Sequence, residues 1–257
     1  SFPTRRSSDL GIARMEDRYF QTNIIDFSET KHDKSTYSIF GGSIVLEGST
    51  LNARQFATQG SREKMAAQIF TGTEHFRSGA SKVTKDTPEP YKKVQSWLQV
   101  SYQNETYHKV SPKFTLGAYL EAYYSSRNFS NNYTATLMQA GEFTPTAHSK
   151  VTYNEAFRAN QYAGVGAMPI YQLSESFQLR GEFYGFVPIF PIKKDEYGQA
   201  YYGKAFTKFE YLGEISLVFQ LSFGSISAYV NHYSSPSNDW NVGLTLGWQL
   251  FNSRFIE

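Results

Sequence analysis

An all-β fold, built of antiparallel strands with one apolar and one polar side, is what this 257-residue sequence predicts. Three observations lead there. Near the C-terminus, Val242, Leu244, Leu246, Trp248 and Leu250 alternate with Gly243, Thr245, Gly247 and Gln249, the period of two that puts one face in oil and the other in water. The run from Asn241 to Phe251 is about ten residues long, the length a tilted strand needs to cross a bilayer. Composition is the third: 19 Tyr, 21 Phe and 3 Trp make 17% of the chain aromatic, while mean hydropathy is negative. The longest apolar run, Phe186 to Ile192, is broken by Pro188, so no helix here is predicted to span a membrane. An outer-membrane β-barrel has this make-up, because every second strand residue faces water. Composition alone leaves a soluble all-β domain standing beside it.

The elements follow in chain order. Residues 1–10 (SFPTRRSSDL) lack an initiating Met and an apolar signal core and resemble a translated sequencing adapter; they are expected to be a non-native artefact, with the domain over 11–257. Arg18 to Ser28 is the first predicted strand. Thr36 to Glu47 is the second, with Gly41 and Gly42 suggesting a bulge or bend. Arg62 to Phe76 reads as a third, although Arg62-Glu63-Lys64 and Ala66-Ala67 would also open a helix. Ser78 to Tyr91, with Pro88 and Pro90, is a loop. Gln95 to Tyr107 and Lys113 to Ser126 alternate cleanly, and the latter turns Glu121 away from its apolar side. Asn128 to Asn160 has no sustained period, beyond a short helical turn at Thr134–Gln139, and a connection so long is functional or disordered. Five strands then follow: Gln161–Leu173, Ser176–Val187, Lys208–Ser222, Ile226–Tyr233 and Asn241–Phe251. A loop with Pro188, Pro191, Lys193, Lys194 and Asp195 separates the second from the third, and Gly224-Ser225 reads as a tight turn. The total is about ten strands in an antiparallel transmembrane barrel segment, short turns alternating with longer loops.

Catalytic chemistry finds no foothold. There is no Cys, hence no disulfide or Cys-ligated metal. Gly41-Gly42-Ser43-Ile44-Val45 misses a nucleophile elbow at its last position, and no Asp precedes a Gly. His32, His75, His108, His148 and His232 are scattered without metal-ligand spacing and read as loop or rim residues. No phosphate loop or other cofactor motif occurs, and a net charge of +2 gives no argument for nucleic acid. Lys92-Lys93 and Lys193-Lys194 read as solvated charges, with lipid headgroup phosphates as a second use. Glu121, Arg180, Glu182 and Glu214 fall on the polar faces of their strands. They would either line a channel or fill the interior as an ion-pair network. Phe157-Arg158-Ala159-Asn160 closes the long connection; Arg158 would be a solvated loop charge or fold inward to Glu182 or Glu214. The terminal strand, with Val242, Leu244, Leu246, Trp248, Leu250 and Phe251, has the amphipathic form that barrel-insertion machinery reads, although the chain runs on to Glu257.

Five blocks in order carry a family resemblance: LNARQFATQGS (51–61), YTATLMQA (133–140), FRANQY (157–162), YGFVPI (184–189) and the end NVGLTLGWQLFNSRFIE. Together they resemble the C-terminal barrel of Bacteroidetes patatin-like phospholipases, over essentially everything after Leu10. The resemblance implies a 16-strand barrel of the BamA-like bacterial surface antigen type in the outer membrane, preceded by a periplasmic patatin domain with a Ser-Asp dyad. It implies a parent protein that hydrolyses lipid acyl esters, with none of the catalytic residues on this chain. The expected partners are outer-membrane lipids, the insertion machinery, and N-terminal strands and a patatin domain of the same protein. Barrels of that superfamily carry Arg-Gly-aromatic in an inward-folded loop followed by five strands. Arg158 matches in position, but Ala159-Asn160 replaces Gly-aromatic. A stand-alone porin or transporter and a BamA-like assembly factor are the alternatives without enzyme activity.

Overall fold

The chain is all-β. The computed structural model describes residues 4–20, 32–79, 91–221, 224–235 and 240–248. Ten strands form one sheet: β1 (Thr4–Tyr19), β2 (Asp33–Ser49), β3 (Gly60–Arg77), β4 (Tyr91–Lys109), β5 (Phe114–Ser125), β6 (Gln161–Gln172), β7 (Phe177–Pro188), β8 (Glu210–Leu221), β9 (Gly224–Tyr233) and β10 (Trp240–Trp248). Each pairs antiparallel with the next, so the sheet is a simple meander with β1 and β10 at its edges. Connections 50–59, 110–113 and 173–176 lie at one end; 126–160 and 189–209 lie at the other.

The sheet has its polarity inverted. Tyr37, Trp97, Glu121, Gln178, Arg180, Glu182, Glu214 and Ser216 are buried on one side. On the other, Phe40, Ile69, Leu120, Phe183, Leu217 and Leu244 are open, Leu244 at 79%. The alternation over Ser176–Val187 and Lys208–Ser222 appears with these faces: Gln178, Arg180, Glu182 and Tyr184 inward, Leu179 and Phe183 outward.

Several boundaries differ from the sequence reading. The first strand is Thr4–Tyr19, not Arg18–Ser28, because hairpin register with β2 sets it, from Thr4↔Gly48 to Tyr19↔Asp33. Residues 21–28 of that expectation lie outside the described residues. The adapter-like residues 4–10 are in this strand, yet Arg6 and Ser8 pair with Leu46 and Ile44. The apolar outward pattern of β1 starts only at Leu10. Gly41 and Gly42 form no bulge; register runs through them to Phe70 and Ile69. Gly41 is instead a close approach, since a Cβ there would collide with the Phe70 ring, which stacks on Trp97 at 5.3 Å. Arg62–Phe76 is strand rather than helix, its residues paired on both sides. Gly224-Ser225 is not the turn but the first rungs of β9, opposite Leu221 and Gln220. The 189–209 connection contains a small hairpin, Ile192–Lys194 with Ala200–Tyr202, and Tyr202 packs on Phe129 at 4.4 Å. Lys93 belongs to β4 and donates to the Phe129 carbonyl at 2.8 Å, so it is not simply solvated.

Curvature follows from the short-turn end. The 50–59 connection joins β2 to β3, yet its Gln55 side chain meets Ser225 Oγ of β9 at 2.9 Å. Its Phe56 carbonyl accepts from Gln178 of β7 and Gln220 of β8, at 3.3 and 3.2 Å. In a flat sheet β3 and β9 would be about 29 Å apart at ~4.8 Å per strand. The sheet is therefore curled, with its two halves facing across this connection. Phe56 has φ +53°, a left-handed conformation costing about 1–3 kcal/mol for a bulky residue, held only where the surroundings over-determine it. The two glutamine donors and Arg180 beneath its ring, at 5.9 Å, supply that hold.

Candidate functional site: the filled interior

The 126–160 connection packs against the inner side of the curled sheet. Its helix α1 (Tyr133–Gln139) forms where a helical turn is expected. Asn132 caps it, accepting from Ala135 N at 2.9 Å and donating to the Tyr19 hydroxyl at 2.9 Å. Arg127, just past β5, lies over Trp97 at 4.5 Å and donates to Gln139 at 2.8 Å. Burial pulls its guanidinium below the ordinary arginine range, against the opposing pull of Tyr37 and Glu74. Phe143 meets Tyr119, Tyr162, Tyr184 and Phe186 within 6.3 Å, the centre of the interior cluster.

Gly164 of β6 is what admits the Phe143 ring, because a Cβ there would overlap it. Gly164→Ala is expected to cost about 1–3 kcal/mol by overpacking, and to raise amide exchange through 141–160 before the wall strands. Hydrogen exchange on the folded protein measures this; unchanged protection of the connection would refute it.

Glu121, Arg180, Glu182 and Glu214 all sit on the inner face and are nearly dry, at 3–6% exposure. Glu121 accepts from the hydroxyls of Tyr119 and Tyr162, the latter at 2.6 Å. Arg180 pairs with Glu182 and donates to the Ala57 carbonyl and the Tyr107 hydroxyl, both at 2.8 Å. Glu182 also accepts from Tyr184 at 2.9 Å. The spacing of two puts Arg180, Glu182 and Tyr184 in one inward row. Glu214 accepts from Asn231 at 3.4 Å and meets His148 Nδ1 at 2.6 Å. Each charge has a partner within reach: Arg180 and Glu214 tie the 50–59 and 126–160 connections to the wall, while Glu121 and Glu182 bond hydroxyls of the wall itself.

Arg158 does not reach Glu182 or Glu214, whose carboxylates are taken by Arg180 and His148. It pairs with Glu142 at 2.7 Å, its partner across a two-rung ladder of residues 141–142 and 158–159. Its Nη1 donates to the Leu137 and Met138 carbonyls at 3.2 and 3.1 Å, a cation closing the negative end of α1. Tyr153 lies under the guanidinium at 4.6 Å, and burial raises that phenol's pKa. Phe157 packs on Phe186 and Tyr233 at 5.6 and 5.8 Å. Ala159 is fully buried. Asn160 donates to the Tyr202 hydroxyl at 2.9 Å, and its carbonyl accepts from Ser125 N at 2.6 Å. The motif thus locks the connection to itself and to β5.

His148 lies in the 126–160 connection, a loop position as expected, but its burial was not foreseen. It is 4% exposed rather than at a rim, and its ring stacks on Tyr229 at 3.5 Å and 15°. The only advance signal was the inward row of Glu214, Tyr229 and Asn231, polar groups in need of a partner. The 50–59 connection also had no assigned role beyond its place in a resemblance block. On the terminal strand Val242, Leu244 and Leu246 point outward and are 82, 79 and 79% exposed. Trp248 pairs with Gly224 through its backbone; Leu250 and Phe251 lie outside the described residues. Among the described residues no three His, Asp or Glu side chains come together as a metal site, and no helix is long and apolar enough to cross a membrane. No protein-family model matches this chain, and no curated protein matches it.

Proposed function

We propose that the ten strands are part of the wall of a transmembrane β-barrel in a bacterial outer membrane. We propose further that this barrel anchors a patatin-like lipid acyl hydrolase domain of the same protein. The observation that carries the membrane reading is the inverted polarity, with an outer face that is apolar across β5 to β8 over an interior of hydrogen-bonded charges. The dimensions suit it. Strands β5 to β8 have 12 residues each, and 12 residues at ~3.3 Å tilted by ~45° rise about 28 Å, close to the hydrocarbon thickness. Aromatic side chains stand on the outer face near both rims: Tyr211 and Trp240 towards the long connections, Tyr171 and Phe219 towards the short turns, as in interfacial girdles. In lipid, the open edges of β1 and β10 have no water to bond, so they must pair with each other or with further strands.

The hydrolase part rests on the resemblance blocks. An anchor is favoured over a porin because two inward-folded connections occupy the interior where a conducting path would run. An assembly-factor role loses its main support, since Arg158 serves the connection itself and not the wall. The test has two arms. The protein expressed with a signal sequence should fractionate with outer membranes and resist alkaline extraction; release into the aqueous phase would sink the membrane reading. The natural coding sequence upstream should contain Gly-x-Ser-x-Gly and Asp-Gly; their absence would sink the hydrolase reading and leave the barrel standing.

A further inference from the structure

Between the 50–59 connection, the inner faces of β3 to β7 and residues 144–150 lies a half-enclosed polar cavity of about 390 Å³. Five cations line it, Arg54, Arg62, Lys64, Lys150 and Arg180, against two carboxylates, Glu105 and Glu182. Arg62 is committed to Glu47 at 2.8 Å and Glu105 at 3.8 Å, and Arg180 to Glu182. Arg54, Lys64 and Lys150 make no ion pair or side-chain hydrogen bond with any described residue. These three come from separate parts of the chain: the β2–β3 connection, β3 itself, and the 3-10 turn Ser149–Val151. Arg54 and Lys64 belong to one hairpin; the inward-folded 126–160 connection adds Lys150 to the same cavity. With Glu47, Glu105 and Glu182 set against the five cations, the space keeps a net positive charge, which raises its potential and favours an anion there.

We propose that this cavity is a binding site for a small multivalent anion of the phosphate or phosphate-ester class. Its size falls within the range of small-ligand pockets. Arg62, held by Glu47 and Glu105, lines the cavity, and a guanidinium fork matches phosphate oxygens. Lys64 of β3 and Lys150 of the 126–160 connection supply flexible point charges, and the Gln103 and Thr146 side chains add neutral donors. The site stands whether or not the outer face lies in a membrane.

The test is calorimetric titration of the full chain in neutral detergent micelles with inorganic pyrophosphate at low salt. Saturable one-site binding below millimolar is expected, weakened at least about tenfold, or 1.4 kcal/mol, in the Lys64→Gln/Lys150→Gln double variant. Lys64→Arg should keep most of the affinity, and Lys204→Gln, an exposed lysine outside the cavity, should keep all of it. Neither Lys64 nor Lys150 leaves a buried partner behind, and intrinsic tryptophan fluorescence checks that the double variant is folded. Competition by glycerol 1-phosphate and by short-chain phosphatidylglycerol separates the sources: displacement by the lipid points to a headgroup, displacement by the free ester alone to a soluble phosphate. Absence of pyrophosphate binding at millimolar concentration, or affinity unchanged in the double variant, overturns the proposal.

Discussion

Leu217→Arg should lower the stability of the protein folded in lipid vesicles by about 2–4 kcal/mol, the cost of an arginine near the bilayer midplane. Leu217 lies mid-strand on β8, between Leu179 and Ala228, and is 43% exposed on the outer face. In a sheet whose outer face meets water, the same change removes no buried contact and stays within about 0.5 kcal/mol. The two expectations differ by several-fold, and urea titration of vesicle-folded protein separates them. A cost below about 0.5 kcal/mol would remove the outer face from the hydrocarbon.

Arg180→Met is the second large effect, about 3–5 kcal/mol, because it leaves the Glu182 carboxylate buried without its cation. Glu182 keeps only the Tyr184 hydroxyl at 2.9 Å. The Ala57 carbonyl and the Tyr107 hydroxyl lose their donor as well, so the 50–59 connection loosens with the pair. Adding Glu182→Gln to Arg180→Met should recover more than half of the loss, since a neutral amide can bond Tyr184 without an unpaired charge. Denaturant titrations of the two single variants and the double close the cycle. Additive costs would mean that the two side chains do not act as a pair.

Much of the wall was legible because its clearer strands carry their own evidence. In β7 and β8 every inward and outward position reads from a period of two, and packing elsewhere does not alter it. The boundaries of β1 were not legible, because pairing with β2 decides them and the polar Arg6 and Ser8 hide the period. The interior was legible only in part. Glu121, Arg180, Glu182 and Glu214 read as inward from their strands alone, and Arg180, Glu182 and Tyr184 share one inward row; the partners from elsewhere in the chain, Ala57 and Tyr107 for Arg180 and His148 for Glu214, did not. Arg158 looked like a match for a wall carboxylate; its partner is Glu142, met across a two-rung ladder that no alternation announces. His148 sits in a stretch without period, so nothing local told that its ring would lie on Tyr229.

What the sequence determined by itself is the all-β class and, along the strands with clean alternation, the face each residue takes, since these follow from backbone geometry and one-residue alternation. What only the tertiary structure decided is which groups meet inside. The curl brings the 50–59 connection onto Arg180, Gln220 and Ser225, and the inward-folded connection sets Lys150 in one cavity with Arg54 and Lys64. Those meetings depend on how ten strands twist and bend together, a property of the whole sheet that no local stretch encodes.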